Sequence, residues 1–237
     1  MADYINRNIL CQAYVHVEVE REYEESVQLV VDRALPLVLE RAEFFLFPEA
    51  RVEFTPTEGS VKSRITIFGS LILALQGIAN YKDFREGIVL LKEDVERVAT
   101  VAVTETLFAL QARNKEIVRI EVRTGVVGSL RRIIADIDRI TAENGVVSSR
   151  AQSLRLKALR ESIEEVIDNI HDADDVELVR NELFLLIQKL PGDALPGPRE
   201  KSFGRASIDA YRRRRSELVG FMTAVKKKKR ESGQKRK

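Results

Sequence analysis

Hydrophobic and polar positions change period several times along the chain, and each change marks an element. Ala13, Val15, Val17 and Val19 alternate with Tyr14, His16, Glu18 and Glu20, the period-two pattern of a half-buried strand. From Val27 the spacing becomes helical, with Val27, Val30, Val31, Ala34, Leu35, Val38, Leu39 and Ala42 on one face. Pro36 falls inside that face, and its missing N–H predicts a kink. Val52 and Phe54 then alternate with Arg51, Glu53 and Thr55, and Val61, Ser63, Ile65 and Ile67 alternate with Lys62, Arg64, Thr66 and Phe68. With the turn residues Thr57-Glu58-Gly59-Ser60 between them, 51–56 and 61–68 read as a hairpin.

Between Arg64 and Lys82 no residue is charged, which raises the choice between a membrane span and a buried segment. Ile65 to Tyr81 covers 17 residues, at the lower end of what a spanning helix needs (about 20). The run also contains Gly69, Ser70, Gln76, Gly77 and Asn80, poor material for lipid contact. The pattern fits a strand feeding a short buried helix, in which Leu71, Ile72, Leu75, Ile78 and Ala79 share a face.

A long helix is expected from Asp83 to about Ala112, with Ile88, Leu91, Val95, Val98, Ala102, Leu107 and Leu110 inward. Val118, Ile120 and Val122 alternate with Arg119, Glu121 and Arg123, and read equally as an edge strand or as part of a helix. Beyond Val126 the pattern is helical throughout. One stripe holds Leu130, Ile133, Ile134, Ile137 and Ile140 and stops at Asn144-Gly145. A second holds Leu154, Leu159, Ile163, Val166, Ile167 and Ile170, and a third holds Val179, Leu183, Leu186 and Leu190. Asp172 to Asp175 reads as a solvated acidic cluster at the start of the third helix.

The fold class that follows is α+β and predominantly α-helical: a small two- or three-stranded sheet with covering helices, followed by a helical module. The divisions are an α+β domain over 1–115, a helical hairpin or three-helix module over 116–190, a Pro/Gly linker over 191–198, and a basic helical arm with a disordered tail over 199–237.

Charge sharpens this picture. The chain has 39 basic and 37 acidic residues, yet residues 199–237 hold 15 of the basic and 4 of the acidic ones. The remainder is therefore acidic, 24 against 33, and carries a basic arm. Its two clusters are Arg212, Arg213, Arg214 and Arg215, then Lys226, Lys227, Lys228, Lys229 and Arg230, and these are the candidate anion-binding residues. Such an arm suits the phosphates of nucleic acid, which is favoured over an anionic membrane surface contacted by Leu218, Phe221 and Met222. The plain alternative is a solubilising tail packed on the protein's own acidic body. A protein partner or self-association remains open.

Catalytic chemistry is thinly represented. His16 and His171 fall in different elements, and neither stands in a nucleophile motif. Cys11 is the single cysteine, so no internal disulfide is expected, and its apolar neighbours favour a structural thiol. His171-Asp172-Ala173-Asp174-Asp175 lacks the spacing of a calcium loop, and Gly125-Val126-Val127-Gly128-Ser129 lacks the Lys-Ser/Thr pair of a nucleotide loop. The pairs Asp136/Asp138 and Glu164/Glu165 diverge on their helices. No metal and no cofactor are expected. The opening MADYINRNILCQAY has no charged segment followed by an apolar run, so no signal peptide is expected and the cytoplasm is the default location. The functional expectation is a non-enzymatic interaction or regulatory protein whose arm engages an anionic partner. Its rivals are a peripheral membrane protein using the 65–81 run or the arm, and an enzyme with an unrecognised site.

Overall fold

Period-two segments become strands, and here they assemble into one antiparallel sheet. The computed structural model describes residues 8–48, 50–57, 61–78, 83–198 and 205–234, the last eleven as backbone only. The strands are β1 (Asn8–Val17), β2 (Arg51–Thr57), β3 (Val61–Gly69) and β4 (Ile117–Arg123), ordered β2-β3-β1-β4. The fold is α+β and mostly helical, as the periodicity predicts, but the sheet has four strands rather than two or three. The additional strand is the segment that reads equally as strand or helix. Its alternating Val118, Ile120 and Val122 pair with β1, with Ile120 opposite Val15 and Val122 opposite Ala13.

The helices are α1 (Tyr23–Leu29), α2 (Leu35–Phe45), α3 (Leu71–Gly77), α4 (Phe84–Ala109), α5 (Gly125–Ala142), α6 (Ser149–Asp168), α7 (Ala173–Gln188) and α8 (Arg205–Gln234). Two compact units result. One comprises the chain up to Arg131 together with Asn169–Asp175, and the other comprises Arg132–Asp168 and the chain from Val176.

In the first unit the order is β-α-β-β-α-β, the split β-α-β arrangement, with α2 and α4 packed on the sheet. Ala13, Val15 and Val17 of β1 and Ile65 and Ile67 of β3 are buried, as are Ile88, Leu91, Val95 and Val98 of α4. β1 starts earlier than alternation suggests because a bulge between Ile9 and Cys11 turns Leu10 and Cys11 inward in succession, which breaks the period. The irregularity expected at Pro36 takes the form of a π-helical turn over Val30–Ala34, immediately before α2. That turn spaces the backbone where the proline ring would otherwise meet the carbonyl of Asp32.

The uncharged run is resolved in the same unit. Ile65, Ile67 and Phe68 are buried in the inner strand β3, and Leu71, Ala74 and Leu75 are buried along α3. Residues 79–82, like the expected turn at 58–60, lie outside the described residues. Among the described residues no helix is long and apolar enough to cross a membrane.

α3 is only seven residues long, so most of its backbone N–H groups need partners outside the helix. Ser70 takes the amides of Leu73 and Ala74, and Asp175 takes the first two. Leu71 N donates to its Oδ2 at 2.7 Å, and Ile72 N and Ser70 Oγ donate to Oδ1 at 2.9 and 3.0 Å. Asn8 Nδ2 donates to the same carboxylate, while Asn8 Oδ1 accepts from His171 N at 2.9 Å. Asp175 is 0 % exposed. Of the acidic run, Asp172 is the helix-start residue, its Oδ1 accepting from Asp174 N and Asp175 N at 2.9 Å each. Asp175 is not the solvated member of a surface cluster that its neighbours suggest. Four donors converge on it and make its burial favourable.

The second unit is helical. Ile133, Ile134, Ile137 and Ile140 of α5, Leu159, Ile163 and Val166 of α6, and Val179 and Leu183 of α7 are buried, as their spacing predicts. In α6, Leu156 replaces Leu154 on the inner face, and in α7 Ile187 takes the place expected of Leu186. The core faces therefore start one or two residues away from the apolar residues that first suggest them. The segment 191–198 is held by the Asn144 side chain, which donates to Asp193 O at 3.2 Å and accepts from Leu195 N at 2.9 Å. Gly145 has the positive φ (82°) that ends α5.

Replacing Asp175 with Ala leaves the Leu71 and Ile72 amides and the Asn8 amide buried without their acceptor. The expected loss is about 3 kcal/mol or more, read as a lower urea midpoint. Asp172→Ala, which removes an exposed cap, should cost only about 1 kcal/mol. Equal effects of the two substitutions would refute the central role of Asp175.

Candidate anion-binding surfaces

α8 begins the arm and is anchored by its first half within the second unit. Tyr211, Leu218 and Met222 recur at spacings of seven and four residues, one helix face, and are 1 %, 0 % and 3 % exposed. Tyr211 Oη donates to Pro191 O at 2.9 Å. Burial raises the Tyr211 pKa, so the phenol remains a donor. The guanidinium of Arg160 stands over the Phe221 ring at 5.5 Å.

The four arginines at 212–215 divide by helical position. Arg212 forms a fork with Asp193 through both carboxylate oxygens. That hydrogen-bonded guanidinium holds the Asp193 carboxyl below the ordinary carboxylate range. Arg215 Nη2 donates to the carbonyls of Gln188 and Leu190 at 3.3 Å each, placing a cation at the C-terminal end of α7. Arg213 is exposed and Arg214 half-exposed. Lys226, Lys227, Lys228, Lys229 and Arg230 follow on the same helix, with side chains outside the described residues. The helix runs on to Gln234, past Glu231, where the sequence suggests a disordered tail.

A second basic surface lies in the first unit. Residues of β1 that point away from α2 and α4 form rows across the strands. Thr55, Arg64, Tyr14 and Glu121 make one row, Lys62, His16 and Arg119 a second, and Thr66, Gln12 and Arg123 a third. Gln12, Tyr14, Arg64, Arg119, Glu121 and Arg123 line an open cavity of about 220 Å³. Glu121 accepts from Arg119 and, at 2.9 Å, from Arg123. The Arg119 hydrogen bond is the main cause that lowers the Glu121 pKa. Arg119 also lies over the Tyr14 ring, 5.9 Å from its centroid. Gln12 Nε2 donates to Thr66 Oγ1 at 3.2 Å. These residues occupy the polar alternate positions of three strands that are far apart in sequence. The available signal is that those positions carry arginine and lysine where threonine or serine would serve a solvated face equally well.

The groups considered for catalysis stand apart. Cys11 is buried, and burial pushes its thiol pKa far up, so it stays protonated and unreactive. His16 lies on the sheet's polar face between Lys62 and Arg119, whereas His171 is exposed beside Asp172. Among the described residues no group of three His, Cys, Asp or Glu side chains is placed to hold a metal ion. Gly125 opens α5 with φ +47°, and a Cβ there would overlap the carbonyl oxygen of Ile9. This glycine therefore serves the close approach of two backbones. In the second unit, Arg180 is buried, which lowers its pKa against the opposing charge of Glu177.

The Asp193–Arg212 fork makes a pH-dependent contribution of definite sign. The folded-state pKa of Asp193 is depressed, so the stabilisation is full above the unfolded carboxylate value and is lost as pH falls through the folded one. Both side chains are solvated, so salt should weaken the fork. Protection factors of the Tyr211–Arg215 amides, which discount the intrinsic slowing of exchange in acid, are expected to fall in acid and in high salt. In Asp193→Asn the acid response of those amides should be blunted; an unchanged response would show that another group controls it.

Comparison with known protein families, with curated proteins and with solved structures finds no match for this chain.

Proposed function

We propose that this chain is a non-enzymatic interaction protein whose basic C-terminal helix engages nucleic acid through its phosphates. The supporting observation is how α8 uses its faces. Its apolar residues Tyr211, Leu218 and Met222 are spent inside the second unit, and Phe221 lies under Arg160. An anionic membrane would need those same residues as its apolar contact, so the packing favours a polyanion in water. Arg212 and Arg215 are engaged in holding the helix, which leaves Arg213, Arg214 and the 226–230 cluster as the phosphate ligands. α8 has 30 residues and extends for about 45 Å, long enough to follow many phosphates along a duplex. Protonation and burial of Cys11, the only thiol, support the non-enzymatic reading.

Binding of this kind is salt-dependent and nearly blind to sequence. With about six contacts, log affinity should fall against log salt with a slope of roughly −5 on duplex DNA. Replacing Lys226, Lys227, Lys228, Lys229 and Arg230 with Gln leaves Arg213 and Arg214 and should bring the slope to about −2. Titrations of the full chain and this variant with duplex DNA, duplex RNA and anionic vesicles, each at two salt concentrations, decide the matter. Absence of salt-sensitive binding to either duplex, or binding to vesicles alone, overturns the proposal. Truncation after Pro198 would be a poor substitute, because it deletes Tyr211, Leu218 and Met222 from the core.

A further inference from the structure

We infer that the polar face of the sheet is a separate binding surface for single-stranded nucleic acid, with Tyr14 as a platform for an unpaired base and Arg64, Arg119 and Arg123 as its phosphate ligands. This surface belongs to the first unit and contains no residue of α8.

Charge sets this face apart. Arg51, Lys62, Arg64, Arg119 and Arg123 occupy this face by register, against Glu53 and Glu121. Arg51 is paired with Glu53 at 2.9 Å, and Glu121 is shared by Arg119 and Arg123. Arg64 has no carboxylate partner among the described residues. An antiparallel sheet gains nothing from gathering like charges on neighbouring strands. A bound polyanion relieves their repulsion and supplies the missing counter-charge.

Geometry then selects the kind of polyanion. Tyr14 sits in the middle of the face, half-buried, with arginines on either side: Arg64 opposite on β3, and Arg119 and Arg123 from β4. Arg119 already stands over the ring, so a base stacked on Tyr14 would meet a guanidinium as well as a phenol. Paired bases present no free face to such a platform, so a duplex gains only the charge interaction. The cavity of about 220 Å³ is smaller than the roughly 300–1,000 Å³ usual for small-molecule sites, and it suits a single nucleotide of a longer strand. Gln12 and Glu121 place an amide and a carboxylate at its wall, able to meet the polar edge of a base.

The test uses the full chain with Lys226–Lys229 and Arg230 changed to Gln, so that the C-terminal cluster does not mask the sheet. Probes are a ten-nucleotide oligouridylate, the matching oligothymidylate, a ten-base-pair RNA duplex and uridine monophosphate. The oligouridylate should bind more tightly than the duplex. Tyr14→Ala should weaken it by about five- to a hundredfold, and Tyr14→Phe should restore most of the loss. Arg64→Gln with Arg123→Gln, both at exposed positions, should reduce the salt slope by about 1.4 with the Tyr14 platform intact. Each variant is checked for native circular dichroism, and the arginine pair provides an answer should Tyr14→Ala unfold. The inference fails if Tyr14→Ala and the arginine pair both leave oligouridylate affinity unchanged, if the duplex binds as well as the single strand, or if the mononucleotide binds as tightly as the oligomer. Those failures would leave the α8 proposal untouched, since its titrations read duplex binding by the native arm.

Discussion

One buried carboxylate sets the terms for the first unit. Asp175 receives two backbone amides of α3, the hydroxyl of Ser70 and the amide of Asn8, and so joins the start of β1, the start of α3 and the start of α7 at one point. A carboxyl group so completely buried is tolerable because four hydrogen-bond donors converge on it. The arrangement also explains why residues 169–175 belong with a sheet completed by residue 123. Those seven residues supply an acceptor that the preceding sequence lacks at that place. A domain boundary drawn at the end of the last strand would separate the first unit from it.

The two basic surfaces show arginine used in two ways. In α8, Arg212 and Arg215 hold the helix in place, one through a carboxylate and one through helix-terminal carbonyls. On the sheet, Arg119 and Arg123 converge on Glu121, which fixes their orientation without neutralising both. A run of four arginines thus contains structural and exposed members, and composition alone assigns them all to one role. Helical position separates them, because residues three apart share a face and Arg212 and Arg215 are three apart.

Much of the fold is legible in the sequence wherever one period persists. The inward residues of β1 from Ala13 to Val17, of β3, of α5 and of α4 as far as Ala102 follow from spacing, whereas near the end of α4 Thr106 is buried where Leu107 is expected. Legibility fails where one residue interrupts the period, as when the bulge at Leu10-Cys11 hides the first part of β1. It fails again in α6, where the buried Gln152 and Ser153 are polar and the exposed Leu154 is not. The candidate surfaces divide in the same way. Charge density marks α8 because its cations are consecutive. The sheet face is invisible until strand order is known, since Arg64 and Arg119 become neighbours of Tyr14 only through pairing of strands far apart in the chain. Asp175 gives no signal of its own in a run of acidic residues.

The distance along the chain between Leu71 and Asp175 also has a meaning in time. They are 104 residues apart, so α3 leaves the ribosome long before its cap has been made. At about 5–20 residues per second, the interval is roughly 5–20 s, far longer than a helix takes to form or melt. During that interval the sheet can pair, but the α3 amides have only water or a transient acceptor. Synthesis therefore passes through a stage at which all four strands exist and the unit is still unfinished, its first α3 amides without their acceptor until Asp175 arrives.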